Sequence, residues 1–166
     1  MIYLRIDEEK IIFSKNRSIY MEAKAKILVV DDDKEIADLV EIHLVSEGYE
    51  VRKANDAVTG LAILKSEEDI SLAILDIMMP GMDGLSMVKK IRETSHILVI
   101  MLSAKSTDLD KIIGLGNGAD DYVTKPFNPL ELTARVKANL RRFTEFNSGQ
   151  KAGADSGDEI IEAGPL

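Results

Sequence analysis

The chain contains no cysteine, so disulfide bridges and thiolate metal sites are excluded. That absence fits a cytoplasmic location. No apolar run approaches the roughly eighteen residues needed to cross a bilayer. Asp7, Glu8 and Glu9 interrupt the N-terminus before a signal-peptide pattern can form. Positive charge is also short: the formal balance over 166 residues is −8. Neutralising phosphates supplies most non-specific nucleic-acid affinity, so a chain this acidic is not expected to hold DNA unaided. Histidine is scarce, and His43 and His96 stand alone away from strand ends, which marks both as structural.

What the chain does have is a repeated arrangement of apolar runs that end in polar residues. Ile27-Leu28-Val29-Val30, Leu72-Ala73-Ile74-Leu75, Ile97 to Leu102 and Tyr122-Val123-Thr124 are followed closely by Asp32, Asp76, Ser103 and Lys125. Continuous apolar runs of this length read as parallel strands buried on both faces. In open α/β sheets, ligands bind at the carboxyl ends of such strands. If the strands are neighbours, carboxylates, a hydroxyl and an ammonium meet at one place.

Helical patterns separate the runs. Ile36, Ala37, Val40 and Leu44 recur at helical spacing, with Gly48 as a stop; Val51 marks a further strand; Ala57, Leu61 and Leu64 mark the second helix. Leu85, Val88 and Ile91 mark the third helix, Leu109, Ile112, Ile113 and Leu115 the fourth, and Leu130, Leu132, Val136 and Leu140 the fifth. Five strand–helix pairs predict a parallel sheet covered on both faces. Residues 1–24 keep neither period and read as a weakly ordered extension, or as a start-site artefact ahead of Met21. Residues 25–146 form the predicted domain. Residues 147–158 have the Ser, Gly, Ala and acid composition of a flexible linker, and residues 159–166 turn apolar again as if another element begins.

Asp31, Asp32 and Asp33 follow the first strand. One acid suffices to cap the next helix, and Asp33 is placed for that role. If Asp31, Asp32 and Asp76 face one pocket, repulsion raises carboxyl pKa values, and a hard divalent cation such as Mg2+ removes the cost. Pro80-Gly81 suits a type II turn that keeps Asp76 at the sheet rim and leaves carbonyls such as that of Met78 free for a cation; Asp83 is the expected N-cap of the third helix. Lys125 is a point charge suited to phosphate, and its bond to Pro126 can be cis. Ser103 is placed either to donate to a phosphoryl oxygen or to cap the following helix. Gly114, Gly116 and Gly118 imitate a phosphate loop, but they follow a helix and precede a strand, so they read as helix caps. Met78, Met79, Met82 and Met87 read as packing residues.

Val29-Val30-Asp31-Asp32-Asp33, Leu75-Asp76 through Asp83-Gly84, Ser103-Ala104 and Lys125-Pro126-Phe127 together resemble the receiver domain of two-component response regulators. Residues 118–132 and Ala134-Arg135-Val136 look like its winged-helix, OmpR-like subfamily. The resemblance implies a flavodoxin-like (βα)5 three-layer sandwich with strand order 2-1-3-4-5. It implies that Asp76 accepts a phosphoryl group from a sensor histidine kinase. Mg2+ would be held by Asp32, Asp76 and the Met78 carbonyl, and by Asp31 through water, while Lys125 and Ser103 hold phosphoryl oxygens. Ser103 and Tyr122 would act as the switch, moving inward on modification. Lys111, Asp120, Asp121, Glu131, Arg135 and Arg142 match charged positions of a homodimer face built from the fourth helix, fifth strand and fifth helix. DNA contact would come only through an output domain beyond this chain, and no membrane role is implied. Such a chain modifies itself and is not a multiple-turnover enzyme. Ser103 stands where the family commonly has Thr, and residues 1–24 have no family counterpart.

Three rivals share parts of this pattern. A haloacid-dehalogenase-type phosphatase wants a second Asp at position 78, which is Met. A flavodoxin wants a Ser/Thr-rich phosphate loop where this chain has acids. A receiver-like interaction module that is never phosphorylated has no need of Asp32, Asp76, Ser103 and Lys125 together.

Overall fold

The structure, a computed structural model, describes residues 25–104 and 116–155, with side chains through residue 146. Five parallel strands form one sheet, and helical crossovers join the first four. They are β1 (Lys26–Val30), β2 (Glu50–Ala54), β3 (Ile70–Asp76), β4 (Leu98–Ser103) and β5 (Asp121–Thr124), in spatial order β2-β1-β3-β4-β5. The helices are α1 (Lys34–Ser46), α2 (Ala57–Ser66), α3 (Gly84–Thr94) and α4 (Pro129–Asp155). The parallel sheet is the one expected from the alternation of apolar runs and helical spacing, and its strand order is the flavodoxin-like order that the family resemblance implies. The fourth predicted helix, the N-terminal extension and the apolar tail at 159–166 lie outside the described residues.

The central strands are apolar without alternation because each face of the sheet has its own helix layer. Leu28 and Val30, Ala73 and Leu75, and Val99 and Met101 point into one core, which Ala57 of α2 and Met87, Val88 and Ile91 of α3 complete. Their neighbours Ile27, Val29, Leu72, Ile74, Ile100 and Leu102 point the other way, against Ala37, Val40 and Leu44 of α1 and Leu132 and Val136 of α4. Burying each such side chain contributes roughly 1.5–3 kcal/mol, which is what fixes register here. The edge strand β2 is largely open to solvent except at Ala54.

Local signals set the helix ends. Asp33 accepts from the Glu35 and Ile36 N–H groups and starts α1; Asp83 accepts from the Ser86 N–H at 2.7 Å and starts α3. Gly48 ends α1 at φ +89°, with the Tyr49 N–H returning to the Leu44 carbonyl and the Gly48 N–H to that of Val45. This is a Schellman closure, for which the positive φ favours glycine.

Two expectations differ from the structure. Leu130, assigned to the apolar stripe of the last helix, is exposed: it sits in the first turn, ahead of the Leu132–Val136 contact. Backbone helix also runs to Asp155, through 147–155, where composition predicts a flexible linker. Once a docked helix exists, each added residue gains a hydrogen bond for one residue fixed, and weak helix formers can be carried along.

Candidate functional site

The stagger of the sheet builds the site. Val30 is level with Leu75, Asp76 with Leu102, and Ser103 with Thr124, so Asp31, Asp76, Ser103 and Lys125 all fall at one carboxyl-end rim. Main-chain bonds hold that rim beyond the strands: Asp31 N–H to the Ala54 carbonyl, Ile77 N–H to that of Leu102, and Lys125 N–H to that of Ser103 at 2.7 Å. Asp31, Asp76 and Ser103 are buried, at 1 %, 4 % and 0 % exposure. Asp32 reaches the same pocket from the solvent side, and oxygens of Asp31, Asp32 and Asp76 lie within 4.8 Å of one another.

Lys125 sits among these acids. Its Nζ is 2.9 Å from Asp31 Oδ2 and 3.3 Å from Asp76 Oδ2. The remaining oxygens are held by backbone: Asp31 Oδ1 accepts the Asp33 N–H at 2.9 Å, and Asp76 Oδ1 accepts the Met78 N–H at 3.3 Å. Burial, and then the charge of Asp31, push the Asp76 carboxyl up to about 6 against the opposing pull of Lys125 and the Met78 N–H. Burial works to lower the Lys125 ammonium, but the hydrogen bond it donates to Asp31 and the charges of Asp31 and Asp76 outweigh it and hold the group above its ordinary value. The ammonium therefore stays charged, while ionised Asp76 bears an unrelieved cost.

Three clustered carboxylates offer oxygen donors only, two of them buried, with a raised pKa that a cation would relieve. That donor set fits a hard divalent ion such as Mg2+. The loop beside Asp76 has the predicted geometry, with Gly81 at φ +77° after Pro80, and the Lys125–Pro126 peptide is cis. Met78 departs from the packing role given to the four methionines. The residue is 58 % exposed, whereas Met87 is fully buried.

The remaining predicted residues fall into separate groups. Tyr122 is buried, in the same core as Val99, Met101 and Ala119. Asp121, Glu131 and Arg135 are together: Arg135 donates to Asp121 at 3.0 Å and to Glu131 at 3.3 Å. Asn139, which the sequence did not single out, joins them through Asp121 Oδ2 at 3.1 Å and accepts from Arg142. Asp120 is not part of that group. Its Oδ2 accepts the Val99 N–H at 2.8 Å and pairs with Arg92, a second residue that sequence reading missed. Lys111 lies outside the described residues.

The comparisons agree with this geometry. Residues 27–137, more than half the chain, match the family model described as response regulator receiver domain. The chain is 54 % identical over 122 residues to regulatory protein VanRc of Enterococcus gallinarum and 56 % identical over 122 residues to regulatory protein VanR of Enterococcus faecium. Each match covers 74 % of this chain and 52 % of the relative, so the chain spans about half the length of the curated relatives it matches. A Francisella response regulator 1452 receiver domain superposes with a TM-score of 0.69 at 36 % identity, over 72 % of this chain and 99 % of that one. Receiver domains generally bind Mg2+, and among the described residues no helix is long and apolar enough to cross a membrane. With the strand order, the acid rim and the family model in agreement, the chain belongs to the response regulator receiver domain family.

Proposed function

We propose that Asp76 is a phosphoacceptor, modified in a Mg2+-dependent step by a sensor histidine kinase. The observation that supports this most is the convergence of Asp31, Asp32, Asp76 and Lys125 on one rim, with Asp76 the buried member whose charged form is disfavoured. An Asp76 oxygen attacks the phosphorus of a phosphohistidine; the O–P bond forms as the N–P bond breaks, and the ring nitrogen keeps the electron pair. Phosphoryl transfer needs positioning and charge stabilisation more than covalent help. Asp31, Asp32, Asp76 and the Met78 carbonyl would hold Mg2+, which supplies positive charge facing the transferred oxygens. Lys125 moves from pairing two carboxylates to pairing a phosphoryl oxygen, and Ser103 donates to another.

The output follows from the same residues. Modification redraws the Ser103–Tyr122 region and the adjoining Asp121, Glu131, Arg135 and Arg142 surface, favouring a homodimer. Exposed pairs there contribute only about 0–1 kcal/mol each, so they set register rather than affinity. The likeness to the regulatory proteins VanR and VanRc, about half of whose length the chain spans, supports a regulatory role; an OmpR-like DNA-binding output domain, a cytoplasmic setting and self-modification without multiple turnover are parts of the same proposal. The test is incubation with Mg2+ and acetyl phosphate, followed by mapping of a labile phosphoryl mass. The expected result is an adduct confined to Asp76; no adduct, or sustained hydrolysis of the donor, would instead indicate an interaction module or a phosphatase.

A further inference from the structure

The loop that follows Asp76 is closed at its base by a backbone approach that leaves no space for a side chain. The Gly84 N–H donates to the Ile77 carbonyl at 3.0 Å, and that carbonyl also accepts the Met79 N–H at 3.2 Å. A Cβ at Gly84 would collide with the Asp76 backbone carbonyl and lie 2.9 Å from Ile77 Cα. These are main-chain atoms of the strand that carries the phosphoacceptor. They cannot rotate aside as a flexible side chain does, and Ile77 is further pinned by its N–H bond to the Leu102 carbonyl at 2.9 Å.

From this we infer that Gly84 is a positioning residue for the acid site: the absence of its side chain sets where Asp76 and the Met78 peptide stand relative to Asp31. A methyl at position 84 forces either the start of α3 or the end of β3 to move. Both movements open the 77–83 loop, whose Met78 N–H fixes one oxygen of the Asp76 carboxylate at 3.3 Å. Asp31 does not move with it, because it directly follows β1, a different strand, and is tied to Ala54 and Asp33. The separation between the two buried carboxylates is therefore the quantity that Gly84 controls. The inference rests on the proposed metal and phosphoryl role of that pocket.

Gly60 provides the matched control. A Cβ there would come within 2.8 Å of Met87 Cε and 2.9 Å of Val30 Cγ2, a comparable conflict but with side-chain ends in the core. Gly84→Ala, Gly60→Ala and the parent chain are compared by Mg2+ titration in calorimetry, and by the rate of Asp76 modification by acetyl phosphate at saturating Mg2+. The added osmolyte sucrose holds weakened variants folded. Gly84→Ala is expected to lose about 10–100-fold in Mg2+ affinity, the usual effect of disturbing groups that orient metal ligands, and to be modified more slowly even at saturation. Gly60→Ala is expected to keep both values within about twofold despite a lower melting temperature. Parent-like Mg2+ binding and modification in Gly84→Ala would overturn the inference, as would an equal loss in Gly60→Ala. Failure of Gly84→Ala to fold in sucrose while Gly60→Ala folds would also overturn it, since the glycine would then serve folding as a whole. If the parent chain itself neither binds Mg2+ nor takes the phosphoryl group, it is the reading of the pocket that fails.

Discussion

The two ends of the sheet each collect a knot of charge, and they do opposite things with it. At the amino-terminal rim, Lys26 lies 3.1 Å from Glu67 and 2.9 Å from Asp69, and Arg52 bridges Glu67 and Glu50. Two cations meet three acids there, and the acids are open to water. The hydrogen bond to Lys26 draws Glu67 and Asp69 below the ordinary carboxylate range, and the bonds to Asp69 and Glu67 raise Lys26. Lys26, Glu67 and Asp69 are each held further toward the charged form. At the carboxyl-terminal rim one ammonium faces three acids, two of them buried, and Asp76 is pushed the other way, to about 6. Ion pairs that only brace a fold lower their acids. The rim proposed to take a cation and a phosphoryl group raises one.

The strongest way to break this comparison is to remove the raised acid. Asp76→Asn should abolish phosphoryl uptake entirely and at the same time stabilise the fold above pH 6. The sign follows from linkage: the folded state holds the Asp76 proton more tightly than the unfolded state, so stability falls as pH rises from about 4 to about 6 and stays reduced above that. Two pKa units correspond to about 3 kcal/mol, and the lost Lys125 contact offsets part of this, so a gain on the order of 1–2 kcal/mol at pH 8 is expected from urea melts. A variant less stable than the parent at pH 8 would contradict the assignment.

A smaller effect sharpens the contrast through the cation. Mg2+ at ten times its Kd should add about 1.4 kcal/mol to unfolding stability near neutral pH. Asp32→Asn should remove most of that gain while leaving the Lys125 bridge to Asp31 and Asp76 intact. An unchanged Mg2+ response in thermal melts would move the ion away from this rim.

The smallest effect belongs to the opposite rim. Glu67→Gln should lower stability slightly at neutral pH and converge with the parent in acid: a lowered carboxyl contributes stability that is fully present above its unfolded pKa and is lost as pH falls through its lowered folded pKa. Its Mg2+ response and phosphoryl uptake should match the parent. A changed Mg2+ affinity in this variant would mean that the two rims are coupled through the sheet.

Much of this site could be read before any coordinates. Asp33 and Asp83 as caps, Gly48 and Gly81 at positive φ, and Asp31, Asp76, Ser103 and Lys125 at strand ends all follow from rules that act within a few residues. Arg92 and Asn139 were not legible, because their partners come from distant stretches. Arg92 holds the Gly118 and Ile97 carbonyls together with Asp120, and Asn139 reaches back to Asp121. Asp120 and Asp121 are adjacent in sequence and look equivalent, yet strand alternation sends one to Arg92 and the other to Arg135. The close approach of Gly84 to Asp76 was hidden for the same reason: the helix cap accounts for Asp83, but only packing shows what a methyl on the next residue would strike.

The sequence by itself determined which segments become buried strands and which become helices, because hydrophobic period and capping chemistry are local. It also determined that acids, a hydroxyl and a lysine would sit where strands stop. The tertiary structure decided that β1 and β3 are neighbours in matching register, which brings Asp31 and Asp76 within reach of one ammonium from a lysine 94 residues beyond the first of them. Desolvation and Coulomb repulsion depend on that separation and on what lies around it, so the proton affinity of Asp76 belongs to the fold rather than to the residue.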